Sequence, residues 1–563
     1  MRTLRGRLRS ELVWHLLGFA LISVLAVWLY FPYLENPLVF DDTNLFHTDI
    51  LTTAAIAPWE VGIRGLPYFT VGWVETQIGS MQAHRWVSLA LHVLVAYQMF
   101  RFLEELLVAS EPLPPSLAAN LLHVRWIAGL VATAFVCHPV AVYGAGYLVQ
   151  RTIVFAALFA LLCLRALLQA LVQNRLSPAV WAAVWASLSI LSKQHAALLP
   201  IAALALIPVV GRWSRDTVRT GSVFLLLCLP AMLLAVLTSL SVVGQVYESS
   251  IKDLETELYS LPQFLNGYEK WLLSASTQAR LFLAYWQQWL WPDPGLMSAD
   301  LRVDFLRPWT HQSAWAWIIG FLSLPVLATA WSVRTHHARL VAFALTFACV
   351  LFLVELASVR FQEPYVLYRS YLWAIGYCTF VAALAYRLPP RVGIGILVLV
   401  IPLLFFQSLG RLDTFRSKLA LWDDAAAKLP KLEIAGSSRI LFNRGGERFR
   451  SGQPDGAMED INQAIRLNPP NGRFRVARAV ALLGQGRAGE ALADLEAARR
   501  SIPTDPHLLY VRSRALRALG RLDEADVSLL EAARQGSFPA KYEIARKRSP
   551  TGDVTVNLRD DPP

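Results

Sequence analysis

The stretch "WHLLGFALISVLAVWLYFPYL", Trp14 to Leu34, contains no Asp, Glu, Lys or Arg and is almost entirely apolar. A helix of about 20 such residues is long enough to cross the ~30 Å hydrocarbon core of a bilayer. Similar runs recur between residues 12 and 409, and the whole chain of 563 residues is 55% hydrophobic and only 17% charged. These features exclude an ordinary soluble globular protein and predict an integral membrane protein.

The apolar runs predict an all-α, polytopic fold, because in lipid a helix satisfies its own backbone hydrogen bonds. The first run follows the basic segment "MRTLRGRLRS", but it is long and has no small-residue cleavage site, so it is interpreted as a retained helix. Eleven transmembrane helices are predicted, at residues 12–31, 84–106, 126–142, 150–171, 177–192, 196–211, 221–243, 313–332, 339–358, 371–386 and 392–409.

Arginine residues indicate the orientation of these helices, because Lys and Arg are enriched in the loops on the cytoplasmic side. With the N-terminus in the cytoplasm, the cytoplasmic segments contain Arg2, Arg5, Arg7, Arg9, Arg175, Arg212, Arg215, Arg219, Arg334, Arg339, Arg387 and Arg391. An odd number of transmembrane helices then places the C-terminus on the exported side.

The C-terminal part has a 34-residue period instead of apolar runs. Four sets of small residues or prolines recur at this interval: Gly452, Gly486 and Gly520; Ala457, Ala491 and Ala525; Ala464, Ala498 and Ala532; and Pro469 and Pro503. The pattern resembles the tetratricopeptide repeat, in which small residues let paired helices pack closely and glycine turns the chain between them.

The predicted domains are therefore a transmembrane domain at 1–410, a linker at 411–436, a solenoid of three repeats at 437–536 and a disordered tail at 537–563. Such repeats usually offer a concave surface to a protein or peptide partner. The alternative is a folded cap or spacer, since three repeats are also the minimum for a stable stack.

The remaining composition narrows the function classes. The net charge of +11 is explained by anchoring loops beside membrane lipids and by a basic C-terminal region, so no nucleic acid is expected as a partner. The five cysteines fall within predicted spans and have no paired spacing, which argues against disulfides or a zinc site. No phosphate-binding glycine loop occurs, so an enzyme of this kind would take an activated, lipid-borne substrate.

Two adjacent acids, Asp41 and Asp42, lie in the first exported loop, "FDDTNLF". A carboxylate at this face can accept the proton of an attacking hydroxyl, and its neighbour can hold an acceptor or a divalent cation such as Mg²⁺ or Mn²⁺. These two residues are the catalytic candidates, and no metal site beyond them is predicted. The alternative is a pair of solvated loop acids or a helix cap.

Other polar residues gather in the exported loops, although polar groups beside membrane helices are energetically costly. Four cations could clamp a phosphate leaving group: Arg151, Lys193, Arg280 and Arg369. Each could instead be an interfacial anchor. The candidates for binding donor or acceptor are His138, Gln150, Gln194, Gln278 and Tyr368. His138 precedes Pro139 at a helix end, where a histidine is also commonly a structural residue.

The order of the motifs carries a family resemblance. The segments "VFDD", "HPVAVYGAGYLVQR", "LSKQ", "TQARLFLAYW", "YRSYL" and "LWDD", followed by the repeats, resemble the membrane O-mannosyltransferases with lumenal tetratricopeptide repeats, and especially their bacterial relatives. The resemblance implies an inverting GT-C glycosyltransferase in a bacterial inner membrane, with the repeats in the periplasm. Its donor would be a sugar on a polyprenyl phosphate, and its acceptor a Ser or Thr hydroxyl of an exported protein.

The resemblance also implies residue roles. Asp41 or Asp42 would be the general base or the acid that binds the acceptor, with a weak preference for Asp42 as the base, while Arg151, Lys193 and Arg369 would surround the carrier phosphate. This chain departs from the family at three places. The family usually has Lys-Glu where this chain has Lys193-Gln194, and an acidic-His-Arg group where this chain has Leu367-Tyr368-Arg369. It also usually has an adjacent Arg-Pro pair where Arg64 and Pro67 are separated, so the sugar is not assigned. Two alternatives stay open: an acceptor that is a lipid or envelope glycan, and a non-enzymatic scaffold that presents the repeats.

Overall fold

The computed structural model describes residues 2–46, 49–110, 117–210, 214–240, 267–305, 310–335, 338–361 and 363–548. Within these ranges the chain forms helices and no strand, apart from one isolated bridge between Leu301 and Tyr365. Its described residues form two compact units, one up to residue 421 and the other from residue 422 onward. The all-α prediction is confirmed.

The first unit contains the apolar helices. Their bounds are α1 Arg2–Tyr30, α2 Asp41–Phe46, α3 Ile50–Ile56, α4 Gly65–Gln77, α5 Met81–Ser110, α6 Leu117–Val136, α7 Pro139–Ala145, α8 Arg151–Gln173, α9 Leu176–Ser192, α10 Leu199–Ala203, α11 Leu206–Val210, α12 Arg215–Ser239, α13 Gly267–Leu290, α14 His311–Arg334, α15 Arg339–Leu356, α16 Ala374–Arg387, α17 Pro390–Asp413 and α18 Lys418–Ala427. The boundary between the two units falls within α18.

Seven helices in the described part of the chain are long and apolar enough to cross a membrane: α1, α5, α8, α12, α14, α15 and α17. An eighth span is formed if α6 and α7 are counted together, although they are bent by 64° at the break between them. Shorter apolar helices occupy 176–192, 199–210 and 374–387. A multi-pass membrane protein is therefore supported, while the number of eleven spans stays a prediction.

The exposure of apolar side chains agrees with a lipid environment. Leu399 of α17 is 77% exposed and Val326 of α14 is 67% exposed, whereas α8 is buried along most of its length. Soluble monomers rarely expose large contiguous apolar surfaces. Helices α1, α12, α14 and α17 thus have faces suited to lipid, and α8 packs in the interior against α5 and α9.

Three helices, α2 to α4, fold within the segment that joins α1 to α5. Helices α3 and α4 pack closely because Gly72 lacks a side chain. A Cβ atom there would lie 2.1 Å from the carbonyl oxygen of Leu51. The sequence patterns did not predict these helices, since none of them has a long apolar run.

The second unit consists of helical hairpins. Its described helices are α19 Ser437–Arg450, α20 Pro454–Leu467, α21 Gly472–Gly484, α22 Ala488–Arg499, α23 Pro506–Ala518, α24 Leu522–Arg534 and α25 Phe538–Arg548. Gly452, Gly486 and Gly520 turn the chain within three successive hairpins at φ of +74°, +75° and +75°, a conformation that favours glycine. The alanines with the 34-residue spacing are all fully buried between the helices.

Two predicted segments differ from the structure. Helices α17 and α18 extend into the predicted linker at 411–436. The tail was predicted to be disordered from residue 537, but residues 538–548 form α25, because Ala540 is buried against the last hairpin. The remainder of the tail, 549–563, lies outside the described residues.

Candidate functional site

Asp42 is a buried carboxylate that holds a neighbouring loop. Its Oδ1 accepts a hydrogen bond of 2.7 Å from the backbone N–H of Val149, and its Oδ2 accepts a longer one of 3.4 Å from that of Leu148. Burial raises the pKa of Asp42 to about 6, although the charge of Arg85 and the backbone hydrogen bonds oppose this. Asp42 therefore joins the start of α2 to the residues that precede α8.

Asp41 differs from its neighbour because it is exposed. Its backbone N–H donates to the Tyr147 hydroxyl at 3.0 Å. Its negative charge acts on Lys193 and Tyr368 and favours the protonated form of each. Phe40, directly before it, has a φ of +47°, which is uncommon for a bulky residue and is typical of strained functional sites.

Lys193 supplies a buried cation at the end of α9. Its Nζ donates to Gln150 Oε1 at 2.7 Å and to Thr152 Oγ1 at 3.3 Å, and it lies 5.4 Å from the centre of the Tyr368 ring. Within the described part of the chain, no carboxylate lies within 4 Å of this ammonium group. Neutral oxygens and an aromatic face are its contacts.

Two arginines and two acids act on Lys193, and the arginines act more strongly. Burial holds the pKa of Lys193 well below its usual value, and the charges of Arg64 and Arg369 lower it further, while Asp41 and Glu355 oppose them. Arg64 is oriented by a hydrogen bond of 3.2 Å from its Nε to Gln194 Oε1. The arrangement is a basic centre with the exposed acid Asp41 beside it.

Glu355 organises the other side of this centre. Although it is fully buried near the end of α15, its carboxylate lies 3.1 Å from Arg369 Nη1, 3.6 Å from Arg360 Nε and 3.1 Å from His195 Nε2. Burial lowers the pKa of His195 to about 4, so its ring is neutral at pH 7. Glu355 thus fixes two arginines and a neutral histidine around one carboxylate.

Arg369 also contacts Glu363, with Nη2 lying 3.5 Å from Glu363 Oε2. The carboxylates of Glu355 and Glu363 and the neighbouring Tyr368 raise the pKa of Arg369, although its burial opposes them. Burial also raises the pKa of Tyr368, so its hydroxyl keeps its proton at neutral pH. The Tyr368 ring packs edge to face against the Tyr147 ring, with 6.0 Å between the ring centres. This contact joins the segment that holds Asp41 to the segment that contains Arg369.

The structure does not bring all four predicted cations to this centre. Arg151 is buried and donates to Ser88 Oγ, Thr70 Oγ1 and the carbonyl of His84, so its guanidinium is engaged within the protein. Arg280 donates to the carbonyl of Asp304, and its described contacts do not include Lys193 or Arg369. Lys193 and Arg369 are the two predicted cations that lie together.

The predicted amides and histidine mainly hold loops in place. Gln150 accepts from Lys193 and Gln194 accepts from Arg64, so both support the basic centre. Gln278 donates to the carbonyl of Pro364. The Nδ1 atom of His138 caps α7 at the N–H of Val140, and its Nε2 lies 3.2 Å from the carbonyl of Trp289. Both ring nitrogens of His138 therefore have protein partners, as the structural alternative predicts.

Several residues of the centre were missed from sequence. Glu355 and Arg85 carry a signal that could have identified them, since each is a charged residue in a predicted span, where charge is costly. Arg85 donates to the carbonyls of Asn36, Pro37 and Gly146, and so it holds the segment before Asp41. Arg64 gave no such signal, because an arginine in a loop is ordinary.

No group of three or more His, Cys, Asp or Glu side chains in the described residues is arranged to hold a metal ion. No protein-family model matches the chain. An exposed carboxylate lies beside a buried ammonium group, two arginines and two tyrosines, a set that can accept a proton and bind an anion.

Proposed function

We propose that this protein is a GT-C-type membrane glycosyltransferase. It transfers a sugar from a polyprenyl-phosphate donor to Ser or Thr hydroxyls of an exported protein and inverts the anomeric configuration. The acceptor oxygen attacks the anomeric carbon, its proton passes to a carboxylate, and the bond to the carrier phosphate breaks. A cationic centre stabilises the charge that develops on that phosphate.

The observation that carries the proposal is the environment of Lys193. A buried ammonium group with neutral contacts, close to the charges of Arg64 and Arg369, is costly unless an anion binds beside it. A phosphate monoester or diester group fits such a centre. Because α9, which ends beside Lys193, exposes apolar side chains such as Trp181 and Val180, a lipid-linked phosphate is the favoured ligand.

Asp41 is proposed as the general base. Its side chain is exposed, and its charge reaches Lys193 and Tyr368. Asp42 is less suited to this role, since its two oxygens accept from backbone N–H groups in a buried position. This assignment reverses the weak sequence preference for Asp42, which could not distinguish between adjacent acids. No residue is assigned to bind Mg²⁺ or Mn²⁺.

The proposed topology has eleven spans in a bacterial inner membrane, with a cytoplasmic N-terminus. The hairpins of the second unit are proposed to be tetratricopeptide repeats on the periplasmic side, where they would dock the acceptor protein. Their glycine turns at 34-residue spacing and their buried alanines support this fold. The sugar, the carrier and the acceptor protein are left unassigned.

Two other functions differ from the proposed one, the first in its acceptor and the second in having no reaction. A lipid or envelope glycan acceptor would use the same centre with another hydroxyl. A scaffold would need no buried cation near an exposed acid, and the convergence of residues from α2, α8, α9 and α15 disfavours it. The glycosyltransferase with a protein acceptor is preferred because it also gives the repeats a role.

The test compares cells with the gene intact and deleted. Intact masses of exported proteins and masses of envelope lipids and glycans are measured from the same cultures. Loss of sugar-sized masses from one or more exported proteins on deletion supports the proposal. A loss confined to lipids or glycans supports the second acceptor class, and unchanged masses in every fraction contradict a glycosyltransferase.

A further inference from the structure

A cavity lies between α5, α8 and α9, away from the candidate site. Its volume is about 780 Å³, within the range of small-molecule sites. Its lining combines apolar and polar side chains. Leu162, Ala166 and Val172 of α8 and Val108 of α5 form apolar walls, while Arg101 and Arg165 supply charge.

The charged part of the lining has an excess of basic groups. Arg165 donates through Nε to Glu105 Oε2 at 3.0 Å, and its Nη1 donates to Gln98 Oε1 at 2.5 Å. Arg101 is the more loosely held, since its Nη2 lies 3.5 Å from the same glutamate and its Nε lies 3.7 Å from Glu104 Oε2. Glu104 also pairs with Arg125 at 2.8 Å, so three guanidinium groups share two carboxylates on this side of the cavity.

The cavity lies at the end of the helices opposite the candidate site. Arg101 follows Arg85 by 16 residues in α5, which is about 24 Å at 1.5 Å per residue. Arg165 follows Arg151 by 14 residues in α8, or about 21 Å. Both distances approach the ~30 Å thickness of the hydrocarbon core, so the arginines lie near the other membrane interface.

We propose that this cavity binds an anionic phospholipid, with the headgroup phosphate on Arg101 and Arg165 and part of an acyl chain along the apolar wall. A cavity with basic groups near the interface and apolar groups beside them matches the two parts of such a lipid. A free phosphate ion would leave the apolar wall without a ligand. A zwitterionic lipid would gain less from the unmatched positive charge. The site is independent of the proposed transfer reaction.

The experiment measures lipid binding to the purified full-length protein in detergent by native mass spectrometry, with phosphatidylglycerol, phosphatidylcholine and inorganic phosphate as separate probes. We expect phosphatidylglycerol to bind the wild type more tightly than phosphatidylcholine does, and inorganic phosphate not to compete. Arg101→Gln should weaken phosphatidylglycerol binding by about fivefold, the effect of one basic group at an anionic lipid surface.

A second variant changes the apolar wall of the cavity and leaves its ion pairs in place. Ala166→Trp should fill the apolar part of the cavity and abolish phosphatidylglycerol binding, while the protein keeps its helical content. Arg391→Gln is the matched control. Arg391 is exposed at the start of α17, whose other end meets Asn36 beside the candidate site, so it lies at the same end of the bundle as the cavity. Its affinity should equal that of the wild type.

Equal phosphatidylglycerol affinity in the wild type, Arg101→Gln and Ala166→Trp would overturn the proposal. It would also be overturned if phosphatidylcholine bound as tightly as phosphatidylglycerol, or if inorganic phosphate displaced the lipid. If Arg101→Gln does not fold, Ala166→Trp against Arg391→Gln decides the question.

Discussion

At Asp42, burial and hydrogen bonding oppose each other. Its pKa rises from 3.8 to about 6, so the folded protein retains a proton that the unfolded chain releases. The stability contributed by this proton is present at acid pH and is lost as the pH rises from about 4 to about 6. Asp42→Asn has no such titration. We expect the melting temperature of the wild type, relative to this variant, to fall as the pH rises from 4 to 7.

Thermal unfolding in detergent at a series of pH values measures this difference. Subtracting the variant removes the contributions of all other titrating groups that the two proteins share. A difference in melting temperature that stays constant over the whole range would show that Asp42 does not titrate abnormally.

At Lys193, binding and stability should respond differently. Lys193→Met removes the ammonium group but keeps a side chain of similar length. We expect transfer activity to fall by about 10²-fold, because a positioned cation stabilises the developing phosphate charge. The melting temperature should change little, since relief of repulsion from Arg64 and Arg369 offsets the lost hydrogen bonds. Activity near the wild-type level would contradict the role of Lys193.

At Glu355, one carboxylate neutralises several buried groups. Glu355→Gln leaves Arg369 and Arg360 without their shared charge, and we expect a loss of about 3 kcal/mol in the free energy of unfolding. Glu60→Gln is the control, because Glu60 is exposed in the same unit. Denaturation curves in detergent provide the measurement, and equal stability of both variants would argue against the Glu355 network.

The sequence predicts which residues are candidates for the site, but not where their side chains point. Asp41, Lys193 and Arg369 could be selected as candidates, since each is polar beside an apolar run. The direction of a side chain at a helix end is not encoded in its spacing, however. Arg151 therefore looked like a phosphate ligand, although its guanidinium is directed at Ser88, Thr70 and His84.

Among the elements, the hairpins of the second unit carry a repeated ion pair. Arg444 forms two hydrogen bonds with Asp460, and Arg478 forms two with Asp494 at the same spacing of 16 residues. The third hairpin has Ser528 at the equivalent position, and Ser528 Oγ bonds to the Leu509 carbonyl instead. The Arg–Asp pair therefore joins the two helices of the first hairpin and of the second hairpin, while the third hairpin has a serine in place of the aspartate.

We expect Asp494→Asn to destabilise its hairpin by about 2 kcal/mol, because a charged, paired hydrogen bond is lost from a largely buried carboxylate. Glu490→Gln, in the same hairpin, should leave stability unchanged, since its pair with Arg487 is exposed. Hydrogen exchange of α21 and α22 in the full-length protein compares the two. Equal protection in both variants would mean that the buried pair adds nothing.

Hydropathy predicted the apolar helices well, since each of the eleven predicted stretches overlaps an apolar helix of the structure. Helices α2 to α4 could not be found in this way. They are stabilised by contacts such as Leu51 against Val71, which depend on how the chain folds back and not on any local run. Asp41 and Asp42 begin α2. Because α2 was not predicted from the sequence, the different environments of these two acids could not be predicted either.

At the scale of the whole molecule, the two ends of the transmembrane unit have different chemistry. One end gathers Asp41, Lys193 and the Glu355 network, and the other contains the arginine-lined cavity. We propose that one interface binds the lipid-linked donor and that the other binds an anionic lipid. The first end is the proposed catalytic centre, with Asp41 as its base.

The most direct test of a catalytic Asp41 is the intact mass of exported proteins in a deletion strain that expresses the wild type, Asp41→Asn or Asp41→Glu, at equal levels in the membrane. We expect the sugar-sized mass to return with the wild type, to be absent with Asp41→Asn, and to return in part with Asp41→Glu, since general-base catalysis contributes about 10²–10⁴-fold. A full return of that mass with Asp41→Asn would contradict a role of Asp41 as the base.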